Sequence, residues 1–464
     1  MGLIPRQWGI EMQGKEKRDF QSLTENVGRF NLSSKTVLIP EMNRIGTHLI
    51  AAAFRGFGIN ARVLPTFDGL ALGNEYSSGK ECFPCQITLG DILHFLQSEA
   101  KRLGEAFDPE SYIYFMPEAD GPCRFGMYNK YQRIVLDSFP ELSRLKIGSL
   151  TTGDGYSLSG MIEKSRVRDL RKSLYLAVLV GDVLDRVLWR IRPYEKEAGE
   201  ADAFIEGAMI HLEKAFEKYA AKKDFDRILK QLEEMVKKGK GIIDPAVGRK
   251  PLIGVVGEIY LRTHVKANQD VIRVLEKYGA EVMNASIAEW VNYTSYDRFR
   301  DARAGFVRGL RQFKAGAAGK YLKTMIGFGG DLLYQEFRQK KVYERIKPIM
   351  DLARDHKVSH LDEILKKTDL FHFDVGTEAC LSIAGLIQYV DDGYNGLVNV
   401  YPFTCMPSTI TSAIAKPLMN RQGIPYIDTP YDSSIPPGRE AAIRTFMYQA
   451  HQHFKQNGRN SRTV

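Results

Sequence analysis

Cysteine and tryptophan are scarce, with five and three residues in a chain of 464. So few cysteines in so long a chain exclude the disulfide framework on which small secreted domains depend. Long apolar runs are missing too. The most apolar helix-like stretch, SLYLAVLVGDVLDRVLW, carries Asp182 and Asp185, so it reads as a buried helix and not as a membrane span. The opening MGLIPRQWGIEMQGKEKRDF lacks a long apolar core, so no secretory leader is expected. Arg6 stands where N-myristoylation wants Ser or Thr. A cytoplasmic setting without a membrane partner is therefore the expectation. A phosphate-cradling loop is also absent. GAAGKY (316–321) has two residues between its glycines and Tyr321 where Ser or Thr is needed. The net charge of +9, from 65 Lys and Arg against 56 Asp and Glu, is spread over runs such as SRLKIGS, EKSRVRDLRKS and EEMVKKGKG. These read as solvated faces. No aromatic–basic interleaving accompanies them, so no nucleic-acid partner is expected.

What is present is an alternation of strand and helix signals. Residues 1–35 are polar and irregular and read as an N-terminal arm. TVLIPEM, RIGTHLIAAAFRGFG and NARVLPTFD then read as strand, helix and strand, a unit that favours a parallel sheet. A helix (ILHFLQSEAKRLG), a strand (SYIYFMP) and a helix (GMYNKYQRIVLDSF) complete a first α/β lobe over 36–160. Residues 161–250 are helical in pattern and end in the turn-rich GKGIIDPAVGRKP. A second α/β lobe spans 251–464, opening with LIGVVGEIY, NQDVIRVLEKYG and AEVMNAS. Charged helices are inserted in it up to about residue 368. It resumes with strands at LFHFDV, GLVNVYPF and GIPYIDTPY, and closes with a helix after Pro437. The glycines of GFGGDLL read as a hinge or turn. The fold class expected is α/β, with two Rossmann-like parallel-sheet lobes and a helical insert.

The cysteines fall in a pattern. Cys82 and Cys85 open a helix in GKECFPCQITLGD. Cys123 follows a strand in GPCRFGMY, Cys405 follows another in NVYPFTCMP, and Cys380 sits in VGTEACLSIAGL. All five lie at loop-to-helix junctions, where helix N–H groups favour thiolates. Sites in open α/β sheets form beyond the carboxyl ends of strands. Such a placement suits a thiolate-ligated iron–sulfur cluster, whose negative charge N–H groups stabilise. Arg124 beside Cys123 adds a compensating positive charge. Two other readings stay open on the residues alone, a zinc-bearing docking scaffold and a thiol redox protein using Cys82 and Cys85. Cys380, between Ala379 and Leu381, also has the neighbours of a core residue. Of the histidines near these loops, His48, His94 and His372 read as capping or packing residues. Glu258 and Glu378 are the carboxylates placed in the right region.

The segments GKECFPCQITLGD, GPCRFGMYNKYQ, IGVVGEIYLRTHVKANQDVIRVLEKYGAEV, VGTEACLSIAGLIQYVDDGYNGLVNVYPFTCMPSTI and IPYIDTPYD together resemble the 2-hydroxyacyl-CoA dehydratase subunits and the double-cubane cluster proteins, and most closely the activase-related branch of that superfamily. The resemblance runs from residue 37 to about 432. It implies an iron–sulfur cluster between the lobes, a 4Fe–4S or larger double-cubane cluster, held by Cys82, Cys123 and Cys405. Cys85 and Cys380 exceed the family pattern, and each is a further candidate ligand. The resemblance also implies low-potential electrons from a separate ATP-dependent activator. The chemistry implied is reductive, on a small molecule, or dehydration of a 2-hydroxyacyl-CoA. It further implies a homodimer or a dehydratase-like heterodimer.

Overall fold

Short runs of Val, Ile, Leu and Tyr between turn residues become strands, and the longer periodic stretches become helices. The computed structural model describes residues 23, 25–434 and 436–458. Among these, one parallel sheet holds β1 (Val27–Gly28), β2 (Thr36–Ile39), β3 (Asn60–Val63), β4 (Tyr112–Phe115) and β5 (Lys146–Gly148), in the order β1-β5-β4-β2-β3. A second parallel sheet holds β6 (Leu252–Gly257), β7 (Glu281–Asn284), β8 (Gly396–Pro402) and β9 (Tyr426–Tyr431), in the order β7-β6-β8-β9. All six residues of β6 are buried, as expected of a parallel strand covered on both faces. The α/β class with two parallel-sheet lobes therefore holds.

The helices of the first lobe are α1 (Arg44–Gly56), α2 (Leu70–Glu75), α3 (Phe83–Leu103) and α4 (Tyr128–Leu136). The helical segment follows as α5 (Lys164–Ile191), α6 (Glu200–Tyr219) and α7 (Phe225–Lys240). It packs on α1, and the largest apolar core runs through Leu49, Phe54, Leu176, Val183, Phe216 and Leu232. The second lobe carries α8 (Ile259–Thr263), α9 (Val271–Lys277), α10 (Ile287–Arg311), α11 (Ala315–Ile346), α12 (Val358–Thr368), α13 (Glu378–Asp391), α14 (Met406–Gln422) and α15 (Arg439–Asn457). No described helix is long and apolar enough to cross a membrane. The lobes are stitched by polar contacts: the Thr66 hydroxyl lies 2.8 Å from Asp91 Oδ2 in its own lobe and 2.8 Å from His264 Nε2 in the other.

Four local expectations are corrected. Val27–Gly28 was read as part of the arm, yet it pairs with β5 as an edge strand; residues 1–22 and 24 of that arm lie outside the described residues. SRLKIGS, read as a charged surface run, contains β5, and Leu145 and Ile147 inside it are fully buried. LFHFDV is no strand; Phe373–Val375 form a 3₁₀ turn. His372 Nδ1 accepts the Asp374 N–H, a local side-chain bond that competes with strand pairing. GFGGDLL lies inside the 32-residue α11 and not at a turn. There the antiparallel packing of α10 and α11 overrides the weak helix propensity of glycine. Gly305 and Gly309 on α10 make room for Tyr321 and Ala318 of α11.

Buried carboxyls give the fold an unusual pH response. Asp182 is buried in α5 and accepts the Ile287 and Ala288 N–H groups, each at 2.9 Å, capping α10. Burial pushes its carboxyl up to about 8, and burial raises Asp185 and Asp91 to about 7. A folded pKa above the unfolded value means that the native state holds the proton more tightly. Stability from these groups is complete below the unfolded value near 4 and is lost as pH rises through 7 to 8. His264, lowered by burial to about 4, acts oppositely but only below 6.5. The melting temperature is therefore expected to fall between pH 6.5 and 8.5, and to fall less in Asp182→Asn. Calorimetry at the two pH values checks this, and a flat or rising profile contradicts it.

Candidate functional site

Because both sheets are parallel, the loops beyond the carboxyl ends of their strands gather at one crevice between the lobes. A cavity of about 1140 Å³ lies there. Its walls take in Ile39 and Pro40 at the end of β2, Met116, Pro117, Ala119 and 121–125 after β4, Glu258 after β6 and Thr404–Pro407 after β8. Cys82, Cys123 and Cys405 all line it, one from each of three separate segments.

Each of the three stands just before a helical turn. Cys82 precedes α3 with φ +98°, a conformation rarely taken by a side-chain-bearing residue, and Pro84 follows in the first turn. Cys123 precedes the 3₁₀ turn Arg124–Met127, and Cys405 precedes α14. Thr404 (φ +64°) and Thr377 (φ +71°) are strained in the same way. Non-glycine strain of this kind clusters where surrounding structure imposes it, commonly at functional sites. All five cysteines are free thiols.

Burial raises all three cavity thiols. Cys82 goes up to about 12, pulled back by Arg124 and a hydrogen bond from Tyr128 and pushed further by Glu258. Cys123 and Cys405 go up still more, and for both the leading charge acting against the thiolate is Glu378. Cys123 also feels Cys405, and Cys405 feels Cys82, so the three thiols are electrostatic neighbours. Backbone N–H groups of Phe125 and Ser408 favour the thiolates of Cys123 and Cys405. Among the described residues, no three His, Cys, Asp or Glu side chains are gathered closely enough to hold one metal ion.

Arg124 does more than supply charge. Its Nη1 donates to the Lys80 carbonyl at 2.5 Å and to Thr404 Oγ1 at 3.2 Å, and its Nη2 donates to the Thr404 carbonyl at 3.0 Å. One guanidinium thus ties the loop before Cys82 to the loop before Cys405, across the two lobes.

The other two cysteines do not line the cavity. Cys85 is fully buried in the first-lobe core with Leu89, Tyr114 and Tyr128. Cys380 is fully buried against Leu361, Leu365 and Phe373. Its thiol lies 3.6 Å from the Gly376 carbonyl and 3.7 Å from the His372 carbonyl. Cys82 and Cys85 do not share a helical face, because Cys82 lies outside the helix.

Glu258 and Glu378 do line the cavity. Glu258 caps α8, its two oxygens accepting the Tyr260 and Leu261 N–H groups at 3.0 and 2.9 Å. Burial raises both carboxyls, and Glu378 pushes Glu258 up further. The three histidines sit elsewhere. His48 Nδ1 bonds Glu213 at 2.7 Å, His94 is exposed, and His372 caps its own turn. Tyr128 was not singled out from sequence; a tyrosine in an ordinary helix start carries no signal of a thiol above it. The rest of the cavity is apolar and aromatic, with Phe54, Tyr156, Tyr175, Trp290 and Tyr334, and the first turns of α5 add Arg168, Arg171 and Lys172. No family model matches the chain and no curated protein matches it, so the chemistry of the site is read from its own residues.

Proposed function

We propose that this protein is an iron–sulfur protein whose cluster is held by Cys82, Cys123 and Cys405 between two α/β lobes. In this reading it is a reductase or dehydratase-type component served by a separate ATP-dependent activator. One observation carries the reading: three thiols from three separate segments, each just ahead of a helical turn, line one cavity. A cluster has a separate iron for each thiolate, so it suits thiols delivered to one cavity by separate segments. The thiols are pushed up by burial, which disfavours a redox dithiol that works through an exposed thiolate. Iron would displace those protons, since thiolate ligation and deprotonation go together. N–H groups of the helix starts, Arg124 and the Tyr128 hydroxyl offset part of the negative charge.

When bound, the cluster would supply low-potential one-electron chemistry. The residues of the chain place and shield it: apolar walls exclude water, and the aromatic remainder of the cavity gives room for a small molecule. Arg168, Arg171 and Lys172 suit an anionic group on that molecule, as in an acyl-CoA. GAAGKY lies within α11 and forms no loop, which fits ATP hydrolysis on another protein.

Anaerobic purification with iron and acid-labile sulfide analysis tests this. Brown protein with both elements is expected, and Cys82→Ala, Cys123→Ala and Cys405→Ala should each lose most of the iron. Cys85→Ser and Cys380→Ser should keep it. Colourless protein with one zinc would favour the scaffold reading, and metal-free protein with a reversible dithiol the redox reading. Cys123→Ala with full iron content would defeat the ligand assignment.

A further inference from the structure

Three thiolates leave one iron of a four-iron cluster without a protein ligand. The sequence offers Cys380 for it, but the geometry of α13 turns that thiol away. Residues two apart on a helix point about 200° apart, given 3.6 residues per turn. In α13 Cys380 faces the core with Leu361 and Phe373, and Glu378 faces the cavity.

Glu378 is in an unusual position for a carboxylate. It is 6% exposed, and among the described residues no side chain donates to it. The hydrogen bond it receives comes from its own backbone N–H. The cation that pulls on it, Arg262, is itself buried and gives its Nη groups to the Gly257 and Ser286 carbonyls at 3.2 and 3.1 Å. A buried carboxylate without a side-chain donor is costly, and the usual remedies are a proton, a cation or a metal. Glu258, beside it, differs: both of its oxygens are occupied by backbone N–H groups. Glu378 lines the same cavity as the three thiols, and it is the leading charge acting on both Cys123 and Cys405. The turn that delivers it is strained, with Thr377 at φ +71° after Gly376 at φ +77°. A β-branched residue holds such a conformation only when its surroundings impose it.

We propose that Glu378 is the fourth protein ligand of the cluster, its carboxylate oxygen binding the iron that the three cysteines leave open. This rests on the iron–sulfur reading above. On binding, the oxygen donates an electron pair to iron and any proton on the carboxyl leaves to solvent; no electron is transferred. An oxygen ligand is harder and more exchangeable than a thiolate, so Glu378 would hold its iron more loosely than the three cysteines hold theirs. Glu378 would thereby cover the iron that the cysteines leave open.

The test uses the full chain, reconstituted anaerobically with sulfide and isotopically enriched iron. In wild-type protein, Mössbauer spectra should show one iron in four with an oxygen-containing environment. Glu378→Gln should change that iron alone, and on mild oxidation the variant should lose it and leave a three-iron cluster with its own paramagnetic signal, under conditions where wild type keeps all four. Glu378→Cys should retain four irons, all in sulfur environments. A Glu378→Gln protein with the spectrum and oxidation resistance of wild type overturns the proposal. If Glu378→Gln does not fold, the wild-type spectrum and Glu378→Cys decide: four sulfur-bound irons in wild type, or an oxygen-bound iron that persists in Glu378→Cys, also overturn it. Wild-type protein that takes up no iron and sulfide defeats the iron–sulfur reading itself, a result distinct from a normal cluster indifferent to Glu378.

Discussion

Asp355→Ala is expected to destabilise the protein by about 3–5 kcal/mol, the range for removing one partner of a buried ion pair. Asp355 joins three helices at one point. Arg186 of α5 donates to it, and so do Ser286 Oγ at 2.7 Å and Gln339 Nε2 of α11 at 2.9 Å. Ser286 in turn caps α10 through the Glu289 N–H. Arg186 is 4% exposed, and its remaining bonds go to the Tyr343 hydroxyl at 2.6 Å and the Ala353 carbonyl at 2.5 Å. Without Asp355 the guanidinium is left as a buried charge with only neutral partners. The pair as a whole contributes far less than this loss suggests, because both groups were desolvated to form it. The double variant Arg186→Met, Asp355→Leu should therefore recover most of the stability. Chemical denaturation of the two single variants and the double variant measures the coupling. A loss below about 1 kcal/mol in Asp355→Ala, within the range of an exposed pair, would show that water reaches the site. The first turns of α10 carry Ile287 and Trp290 into the cavity wall, so this network also sets the shape of the site.

How far the sequence could be read depended on the length of each signal. Strands of four or more residues with apolar runs, such as Thr36–Ile39 and Leu252–Gly257, were legible because burial on two faces demands a continuous apolar run. Lys146–Gly148 was not, since three residues carry no period and the charges of Lys146 and the nearby Arg144 dominate the pattern. The position of Cys123, Cys405 and Glu258 at the crevice was legible from topology, because parallel strands send their following loops to one side; Cys82 and Glu378 reach it from loops that follow a helix and a 3₁₀ turn. The roles of Cys85 and Cys380 were not, because each depends on a local rotation. Cys82 stands outside α3 at φ +98°, so the rule that residues three apart share a helix face does not apply to it and Cys85. Cys380 lies two positions after Glu378, so only one of the two can face the cavity. The tie made by Arg124 was legible as charge but not as a bridge, since Thr404 is 280 residues away in sequence.

Gly90→Ala is expected to cost about 3 kcal/mol, at the upper end for overpacking a core, and to disturb the site as well. The helix that begins just after Cys82 crosses α2 at a contact made of backbone alone. A Cβ on Gly90 would lie 2.1 Å from the Gly69 carbonyl oxygen, and one on Gly69 would lie 2.0 Å from the Gly90 carbonyl oxygen. Gly73 meets the Gln86 carbonyl at the same distance, 2.0 Å. No flexible side chain is present to yield, so the methyl group must push two helices apart. The movement has a direction that matters. Cys82 stands directly ahead of α3, and the Phe67 N–H ahead of α2 is fixed to Asp91 Oδ1 at 2.8 Å. Separating the helices strains that bond and shifts the start of α3 relative to Arg124, which holds the Lys80 carbonyl just ahead of Cys82. Gly90→Ala should thus show both a lower unfolding free energy and a lower iron content after reconstitution. A second crowded site, far from the cavity, separates the two effects: a Cβ on Gly396 would lie 2.8 Å from the Phe446 ring. Gly396→Ala should destabilise the fold without lowering the iron content of the protein that remains folded. A Gly90→Ala protein as stable as wild type would mean that the two helices slide apart freely, and the close crossing would then have no part in placing Cys82.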